Sequence, residues 1–269
     1  MVSTTLQGRL GNQFYQIATL LAYAKKHNLE YYIPDVAYHC DGRKMYFPYL
    51  AMGPELTGMK EYHEQSVHAV PKGDGTFLYN VPAYQELPRM DNTKFVGYWQ
   101  SFRYFDDYRG YILEKFNLFY IKRDGCIGIH VRRGDFVQLQ DKHPVIPMDY
   151  YMTAIQMFVD KGYMQFIILS DDIAWCKTAF IDAIKLRYNE PVNWGLVFPE
   201  NKTDQTEIDD LVLLSECEHQ ILCYSTFGFV AAWLNRNPNK QVIIPPSRFT
   251  FGGCNADFIP SYYKELEFQ

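Results

Sequence analysis

Residues 125–135 read GCIGIHVRRGD, and this stretch decides the fold of the second half of the chain. Small and β-branched residues between glycines predict a strand that is buried inside a parallel sheet. Ligands of open α/β sheets bind beyond the carboxyl ends of the strands, where His130, Arg132 and Arg133 would emerge. Because guanidinium groups match the oxygens of phosphate, the two arginines indicate a dianionic ligand. A buried Arg–Asp pair that only pins a loop is the alternative interpretation.

Beyond this strand, the hydrophobic pattern alternates strands with helices. We predict further strands at 165–169, 196–198, 219–224 and 241–244. Helices are predicted at 148–159, after residue 172, at 206–216 and at 229–234. This alternation is typical of a doubly wound parallel sheet.

The first half begins with a strand at residues 3–6, a glycine turn, a helix to Asn28 and a strand at 29–33. Gly8 and Gly11 allow a tight turn that brings the backbone close to a ligand at the helix N-terminus. This order predicts half of a Rossmann-like layer. A strand at 94–101 and a helix at 102–116 follow, whereas residues 36–90 predict no element.

Composition limits the possible functions. Hydrophobic residues make up 48% of the 269 residues and charged residues 21%, which predicts a sizeable core. The net charge of −5 disfavours a nucleic-acid partner. The six cysteines show no metal-ligand spacing, so we interpret them as core residues in a reducing compartment. With no apolar leader and no transmembrane segment in the sequence, we expect a cytoplasmic location.

Polar side chains follow three of the predicted strands. His130, the two arginines and Asp135 follow the first, and the pairs Asp171–Asp172 and Ser225–Thr226 follow two others. Hydroxyl and N–H groups at a helix N-terminus suit a phosphate, and a carboxylate suits a ribose or a guanine. Together they favour a site for a nucleoside diphosphate. Each aspartate has an alternative role as a helix N-cap.

Several blocks of this sequence resemble glycosyltransferase family 11, the α1,2-fucosyltransferases. They are GRLGNQFYQIA at 8–18, GYWQSFRYF at 97–105, the HxRRxD motif at His130–Asp135, SDDIAWCK at 170–177 and the long block at 210–235. The HxRRxD motif also occurs in α1,6- and protein O-fucosyltransferases, so the combination is the more specific signal. Arg9 and the run from Tyr224 to Phe229 depart from the family pattern.

The resemblance implies an α/β fold that is GT-B-like, with two Rossmann-like domains facing a cleft. Residues 1–123 would form the acceptor-side domain, 124–245 the donor domain, and 246–269 a tail that packs back on the N-terminal domain. The implied reaction moves L-fucose from GDP-β-L-fucose to the 2-hydroxyl of a galactoside-terminated glycan, with inversion. It needs no cofactor, and Arg132 would stand in for a metal ion.

The resemblance also implies roles for individual residues. Arg132 would hold the β-phosphate and His130 would lie near the guanine, while Asp135 is either the general base or a partner that orients the arginines. Asn12 and Gln13 would orient the sugar or the acceptor. Tyr98, Trp99 and Gln100 would line the acceptor, although a core strand explains the first two equally well. The full set of predicted donor-binding residues is His130, Arg132, Arg133, Asp171, Asp172, Ser225, Thr226, Phe227, Gly11, Asn12 and Gln13.

Three other functions compete with this interpretation. A non-catalytic module that binds a GDP-sugar would retain the same motifs, and a fucosyltransferase could form another linkage, α1,6 or to a protein hydroxyl. A phosphate-ester hydrolase would need a metal cluster or a nucleophile beside a base, and the sequence shows neither pattern.

Overall fold

The protein, a computed structural model, is described at residues 1–35, 44–71, 77–82, 84–138, 140, 144–188, 192–199, 206–246 and 260–268. The chain divides into two compact units, the first at Met1–Leu118 and Asn255–Pro260, the second at Phe119–Cys254 and Ser261–Gln269. The division therefore comes five residues before the boundary predicted after residue 123. The N–H of Ile121 and the Nε of Arg123 both donate to the Glu216 carboxylate, at 2.8 and 2.9 Å, which attaches this segment to the second unit.

The first unit contains a four-stranded parallel sheet in the order β2-β1-β6-β3 and a separate antiparallel pair, β4 and β5. Its helix α1 ends at His27 and is capped by Asn28, which takes a left-handed backbone with φ of 51°. The elements are β1 (Val2–Thr4), α1 (Leu10–His27), β2 (Tyr31–Tyr32), β3 (Lys60–His63), β4 (Ser66–Pro71), β5 (Phe77–Pro82), β6 (Thr93–Val96) and α2 (Arg109–Phe116).

Three predictions for this half differ from the structure. Strands β3 to β5 lie in the region where we predicted no element, and the polar side chains of Lys60, Glu61 and His63 in β3 hide the period-two pattern. The strand predicted at 94–101 ends at Val96, because Gly97 and Trp99 turn the backbone with φ of 157° and 55°. The helix predicted at 102–116 begins only at Arg109, after two short 3-10 turns.

The second unit is a six-stranded parallel sheet in the order β12-β11-β10-β7-β8-β9. Counted along the chain, this is the 6-5-4-1-2-3 order of a Rossmann fold, and the order reverses between β7 and β10. The elements are β7 (Arg123–Val131), α3 (Met148–Val159), β8 (Gln165–Ser170), α4 (Ile173–Arg187), β9 (Gly195–Val197), α5 (Thr206–Glu216), β10 (Cys217–Ile221), α6 (Thr226–Leu234), β11 (Val242–Ile244) and β12 (Lys264–Glu265).

Helices cover both faces of this sheet. Ile127, Ile129 and Val131 alternate along β7 and pack with side chains of α3 and α4 in one core. On the other face, a Cβ at Gly128 would lie 2.6 Å from the Leu214 Cδ1 of α5, so the glycine lets α5 approach the sheet closely. The doubly wound arrangement is confirmed.

The end of the chain contributes a strand to the second unit. Part of the 246–269 tail adds β12 to the sheet of the second unit, beside β11, whereas Pro260 groups with the first unit. The N–H of Leu266 donates to the carbonyl oxygen of Ile244 at 2.9 Å. This pairing satisfies backbone groups that β11 would otherwise leave open as an edge strand. Residues 247–259 of the predicted tail lie outside the described residues.

The predicted α/β class and its GT-B-like composition of two Rossmann-like units are confirmed, because both units are built on parallel sheets. The cleft expected between the domains stays a prediction. Among the helices in the described ranges, none is both long enough and apolar enough to span a membrane.

Candidate functional site

The candidate site of the second unit lies at the carboxyl edge of its sheet, where the strand order reverses between β7 and β10. Open α/β sheets bind ligands in the crevice at such a reversal. Residues 130–135 lie at the end of β7 and residues 225–227 follow β10, with Asp171 and Asp172 after the neighbouring β8. The topology therefore brings the three predicted strand ends to one edge of the sheet.

Arg132 is held between two carboxylates. One guanidinium nitrogen, Nη1, lies 2.6 Å from the Oδ2 of Asp171, and the other, Nη2, donates to Asp135. The Arg132 side chain is 14% exposed, so part of the group faces solvent. A guanidinium has five N–H donors, and therefore donors beyond these two contacts can serve a ligand.

Arg133 is turned toward α4. Its Nε donates to the Oδ2 of Asp172 at 3.3 Å, and its guanidinium carbon lies 3.6 Å from the centroid of the Trp175 ring. This distance allows a cation–π contact. The two arginines are thus directed to different carboxylates, and the structure shows the Arg–Asp pairing that the sequence left open as an alternative.

Asp171 uses both carboxylate oxygens to fix the loop after β7. Besides the contact to Arg132, its Oδ1 accepts a hydrogen bond from the backbone N–H of Arg133 at 2.9 Å. The carboxylate lies directly against Gly134, where any Cβ would collide with Oδ2. In this structure Asp171 is the partner of the two arginines, and its predicted contact with a guanine or a ribose stays a prediction.

Asp172 caps α4, since its Oδ1 accepts a hydrogen bond from the Trp175 N–H at 3.2 Å. The N-cap alternative is therefore confirmed for this residue. The cluster then holds three carboxylates against two guanidiniums, namely Asp135, Asp171 and Asp172 against Arg132 and Arg133. Within the described residues the cluster is therefore not basic by itself, and the locally basic site stays a prediction. An anion would be held there by directed N–H donors rather than by an excess of positive charge.

His130 is buried at the end of β7, with 5% of its surface exposed. Burial, together with the positive charge of Arg132, lowers the pKa of His130 to about 3. Its Nδ1 lies 3.4 Å from the Sγ of Cys223, and its ring centroid lies 4.9 Å from that of Phe227. His130 is therefore neutral near pH 7 and supplies a ring nitrogen, not a charge.

Gly228 explains how the imidazole fits beneath α6. A Cβ at this position would lie 2.8 Å from the His130 Nδ1, so only glycine lets the first turn of the helix rest on the ring. Ser225 is the N-cap of α6, and its Oγ accepts from the Phe227 N–H at 3.3 Å. The N-terminus of α6, which begins at Thr226, offers N–H groups and a positive dipole end that suit an anion.

Among the cysteines of the described residues, Cys176, Cys217 and Cys223 are buried and Cys126 is half-buried. Cys126, Cys176, Cys217 and Cys223 carry free thiols. Burial raises the pKa of Cys223 to about 12, so its thiol is inert near pH 7. Cys40 and Cys254 lie outside the described residues. Across the described ranges, no group of three or more His, Cys, Asp or Glu side chains has the geometry of a metal site.

In the first unit, Gly11, Asn12 and Gln13 differ in burial and in their contacts. Gln13 is fully buried, and its amide bonds the carbonyl of Lys44 at 2.9 Å and the N–H of Tyr46 at 3.0 Å. Gln13 thus tethers the segment at residues 44–46, and its predicted role in orienting the sugar or the acceptor stays a prediction. Gly11 is buried inside α1. Asn12 is half-buried, and its Oδ1 accepts from the Gln100 Nε2 at 2.7 Å.

The three residues predicted to line the acceptor lie in the loop after β6 and differ in exposure. Tyr98 is 39% exposed, whereas Trp99 is fully buried and belongs to the core. Trp99 has φ of 55°, a left-handed backbone that costs a bulky residue about 1–3 kcal/mol. The N–H groups of Tyr98 and Trp99 both donate to the carboxylate of Glu64. Sequence reasoning missed Glu64, since a lone glutamate after a charged edge strand carries no recognisable pattern.

Comparisons with known proteins agree with these motifs. The model of glycosyl transferase family 11 matches residues 83–253. An O-antigen biosynthesis glycosyltransferase of Escherichia coli, WbnK, is 34% identical over 131 residues, which cover 47% of this chain and 39% of that protein. The galactoside 2-alpha-L-fucosyltransferase SEC1 of Bos taurus is 26% identical over 268 residues, covering 90% of this chain and 67% of that protein.

A further relative in Escherichia coli is an alpha-1,2-colitosyltransferase, 27% identical over 171 residues that cover 58% of this chain and 56% of that protein. The chain thus spans between about two fifths and two thirds of the length of these relatives. The family match takes in well over half of the chain, including β7, the start of α4 and the N-terminus of α6. The chain belongs to glycosyl transferase family 11.

Proposed function

We propose that this chain is a galactoside α1,2-fucosyltransferase. It transfers L-fucose from GDP-β-L-fucose to the 2-hydroxyl of a terminal galactoside, with inversion and without a divalent metal. Membership of family 11 and the galactoside fucosyltransferase among its relatives support this assignment. The non-catalytic module and the other linkages remain the alternatives that an assay must separate.

The observation that carries the proposal is the placement of Arg132. Its guanidinium lies at the carboxyl end of β7, fixed by Asp135 and Asp171, at the reversal of strand order that β7 shares with β10. The N-terminus of α6 follows β10 at the same edge. A fixed cation and a helix N-terminus together suit the diphosphate of a nucleotide sugar.

In the proposed reaction the acceptor hydroxyl oxygen forms a bond to the anomeric carbon of fucose as the bond to the β-phosphate oxygen breaks. The electron pair of the broken bond leaves with GDP. Arg132 and the N–H groups of α6 stabilise the negative charge that develops on the phosphate, which is the work that a metal ion performs in other sites.

The acceptor hydroxyl loses its proton late, because the transition state resembles an oxocarbenium ion. Asp135 is the predicted base, but its contact with Arg132 favours the orienting role. His130, which is neutral and buried, would offer a hydrogen bond to the nucleotide rather than exchange protons.

The colitosyltransferase relative raises a second question, the identity of the donor sugar. Colitose differs from fucose by the loss of the 3-hydroxyl. A site that hydrogen-bonds this hydroxyl would discriminate strongly against the deoxy sugar, and a site that does not would accept both. Competition between the two donors therefore belongs in the same assay.

The test is turnover of GDP-fucose with a panel of β-galactosides in the presence of EDTA, with the product linkage read by NMR. We expect an α1,2-linked product from the unaltered chain and from Arg187→Ala, which removes an exposed arginine at the end of α4. Arg132→Ala should lose transfer by a factor of about 10²–10³, the typical loss on removing a donor that stabilises a developing oxyanion. GDP binding without turnover on any galactoside would instead favour the non-catalytic module.

A further inference from the structure

Glu64 lies immediately after β3 and directs its carboxylate at the loop that follows β6. Its Oε2 accepts from the Tyr98 N–H at 2.8 Å, and both of its oxygens lie 3.0 Å from the nitrogen of Trp99. Two consecutive backbone donors thus converge on one half-buried carboxylate. Such a charge-assisted contact is stronger than a hydrogen bond between neutral groups.

The loop needs this support because of its backbone. Gly97 has φ of 157°, and a Cβ there would collide with the side chain of Glu64, so the two residues are in direct contact. Trp99 takes the left-handed conformation that bulky residues rarely adopt. Strained backbone of this kind persists only when surrounding contacts hold it, and it clusters at ligand-binding positions.

The loop is also tied to α1, the helix that follows the glycine turn. The Nε2 of Gln16 donates to the carbonyl of Gly97 at 3.1 Å, and the Nε2 of Gln100 donates to the Oδ1 of Asn12 at 2.7 Å. Both loops follow neighbouring parallel strands, β1 and β6, which pair from Val2 to Thr4. Since β2 lies on the opposite side of β1, the strand order also reverses here, and such an edge suits a ligand.

Two side chains of the loop have the chemistry of a sugar site. Tyr98 is 39% exposed, and an exposed ring can stack on the apolar face of a galactoside. Gln100 offers an amide with donors and an acceptor for sugar hydroxyls. Both are placed by the same backbone turn, and Glu64 bonds the N–H groups at its centre.

We propose that Glu64 is a positioning residue for the acceptor glycan. It holds the backbone of Tyr98 and Trp99 so that the Tyr98 ring and the Gln100 amide face the galactoside, and it does not touch the sugar itself. This inference rests on the proposed transferase function and adds a determinant of acceptor affinity in the first unit.

The variant Glu64→Gln tests the inference with the smallest change. The carboxamide keeps the length of the side chain, but one accepting oxygen becomes an NH₂ group that opposes the backbone N–H donors. Glu61→Gln is the matched control, because Glu61 lies on β3 and pairs with Lys94 at 2.8 Å, away from the loop. Glu64→Asp is the second variant, which keeps the charge while shortening the side chain by one methylene.

The experiment compares two constants, the KM for the galactoside and the Kd for GDP. Misplacing the loop should raise the KM for the galactoside about tenfold or more in Glu64→Gln, and less in Glu64→Asp. The Kd for GDP, measured by calorimetry, should stay within about twofold, because the proposed diphosphate and guanine contacts at β7 and α6 lie in the second unit. An unchanged galactoside KM overturns the inference, and so does a parallel loss of GDP affinity. Glu61→Gln should leave both constants unchanged.

Amide hydrogen exchange separates this inference from the proposed function. In Glu64→Gln the N–H groups of Tyr98 and Trp99 should exchange faster than in the unaltered chain, while exchange in the other strands stays the same. Unchanged exchange at these two amides refutes the positioning role even if the enzyme is active. Absence of transfer by the unaltered chain refutes the proposed function, whatever the exchange shows.

Discussion

The carboxylate of Asp171 joins the two arginines that follow β7. Its Oδ2 lies 2.6 Å from the Arg132 Nη1, and its Oδ1 accepts from the Arg133 backbone N–H at 2.9 Å. Because Asp171 follows β8, one side chain connects the ends of two neighbouring strands. The position of the Arg132 guanidinium therefore depends on a residue from a different strand.

This relationship predicts how substitutions of Asp171 act. Asp171→Ala should lower kcat/KM by a factor of about 10–100, since a misplaced guanidinium stabilises the leaving diphosphate less well. Asp171→Asn should lose less, because its carbonyl oxygen can still accept from one of the two donors. Steady-state kinetics and GDP calorimetry measure the effect.

The control for this pair is Asp182→Ala, which removes an exposed aspartate from the same helix, α4, that begins beside Asp171. Its kinetics should match those of the unaltered chain. Equal activity of Asp171→Ala and Asp182→Ala would show that Arg132 keeps its position without Asp171.

Gly134 supplies a second prediction. A methyl group at this position would collide with the Asp171 Oδ2, so Gly134→Ala should push the carboxylate away from Arg132 and reproduce much of the kinetic loss of Asp171→Ala. The control is Gly110→Ala in α2, where a Cβ would meet nothing within 4 Å. There alanine should raise the free energy of unfolding by about 0.5–1 kcal/mol, through its higher helix propensity.

The double variant Gly134→Ala/Asp171→Ala makes the test quantitative. If both changes act through the same ion pair, the double variant should be no slower than Asp171→Ala alone, because effects at one network do not add. Additive losses would indicate that Gly134 acts through another contact.

Much of the second unit could be predicted from the sequence. The helices at 148–159 and 206–216 have the predicted bounds, and the strands at residues 165 and 241 lie within two residues of their predicted positions. These elements carry continuous apolar runs or a clear helical period, since both faces of a parallel sheet are covered. The local hydrophobic pattern is enough to predict a helix or strand where burial alone determines its bounds.

The partners of the site residues could not be predicted in the same way. The sequence indicated that Arg132 and Arg133 belong to the site. Which aspartate pairs with which arginine depends on the strand order and on the space that Gly134 leaves for Asp171. The contact between Glu64 and Trp99 and the left-handed backbone of Trp99 could not be predicted either, because contacts between distant residues do not change the local hydrophobic periodicity. The sequence therefore identifies candidate residues more readily than their roles.

His130 predicts a pH dependence of stability. Burial and the charge of Arg132 lower its pKa to about 3 in the folded chain, against 6.5 for an ordinary histidine. Between these values the unfolded chain binds a proton that the folded chain does not, so the free energy of unfolding falls as the pH falls. The slope from this residue is at most about 1.4 kcal/mol per pH unit, and its stabilising contribution is fully present above pH 6.5.

Urea unfolding at pH 7, 6 and 5 should show this slope in the unaltered chain and a shallower one in His130→Asn. Burial also lowers the pKa values of His27 and His219, but both residues remain in the two proteins, so their contribution cancels in the difference. If the free energy of unfolding changes with pH equally in both proteins, His130 binds its proton in the folded chain as well, and its pKa is not lowered.

Asp135 provides the sharpest test of mechanism, because its two candidate roles predict different results for one substitution. As the partner of Arg132, Asp135 needs only an accepting oxygen, which asparagine retains. We therefore expect Asp135→Asn to keep kcat within about tenfold of the unaltered chain and Asp135→Ala to lose more, whereas loss of a general base costs about 10²–10⁴ in either variant. Single-turnover transfer with a saturating galactoside measures the chemical step directly. If both variants lose transfer equally while their affinity for GDP is retained, Asp135 is the base. If only alanine is slow, the carboxylate acts by orienting Arg132, and the acceptor proton leaves by another route.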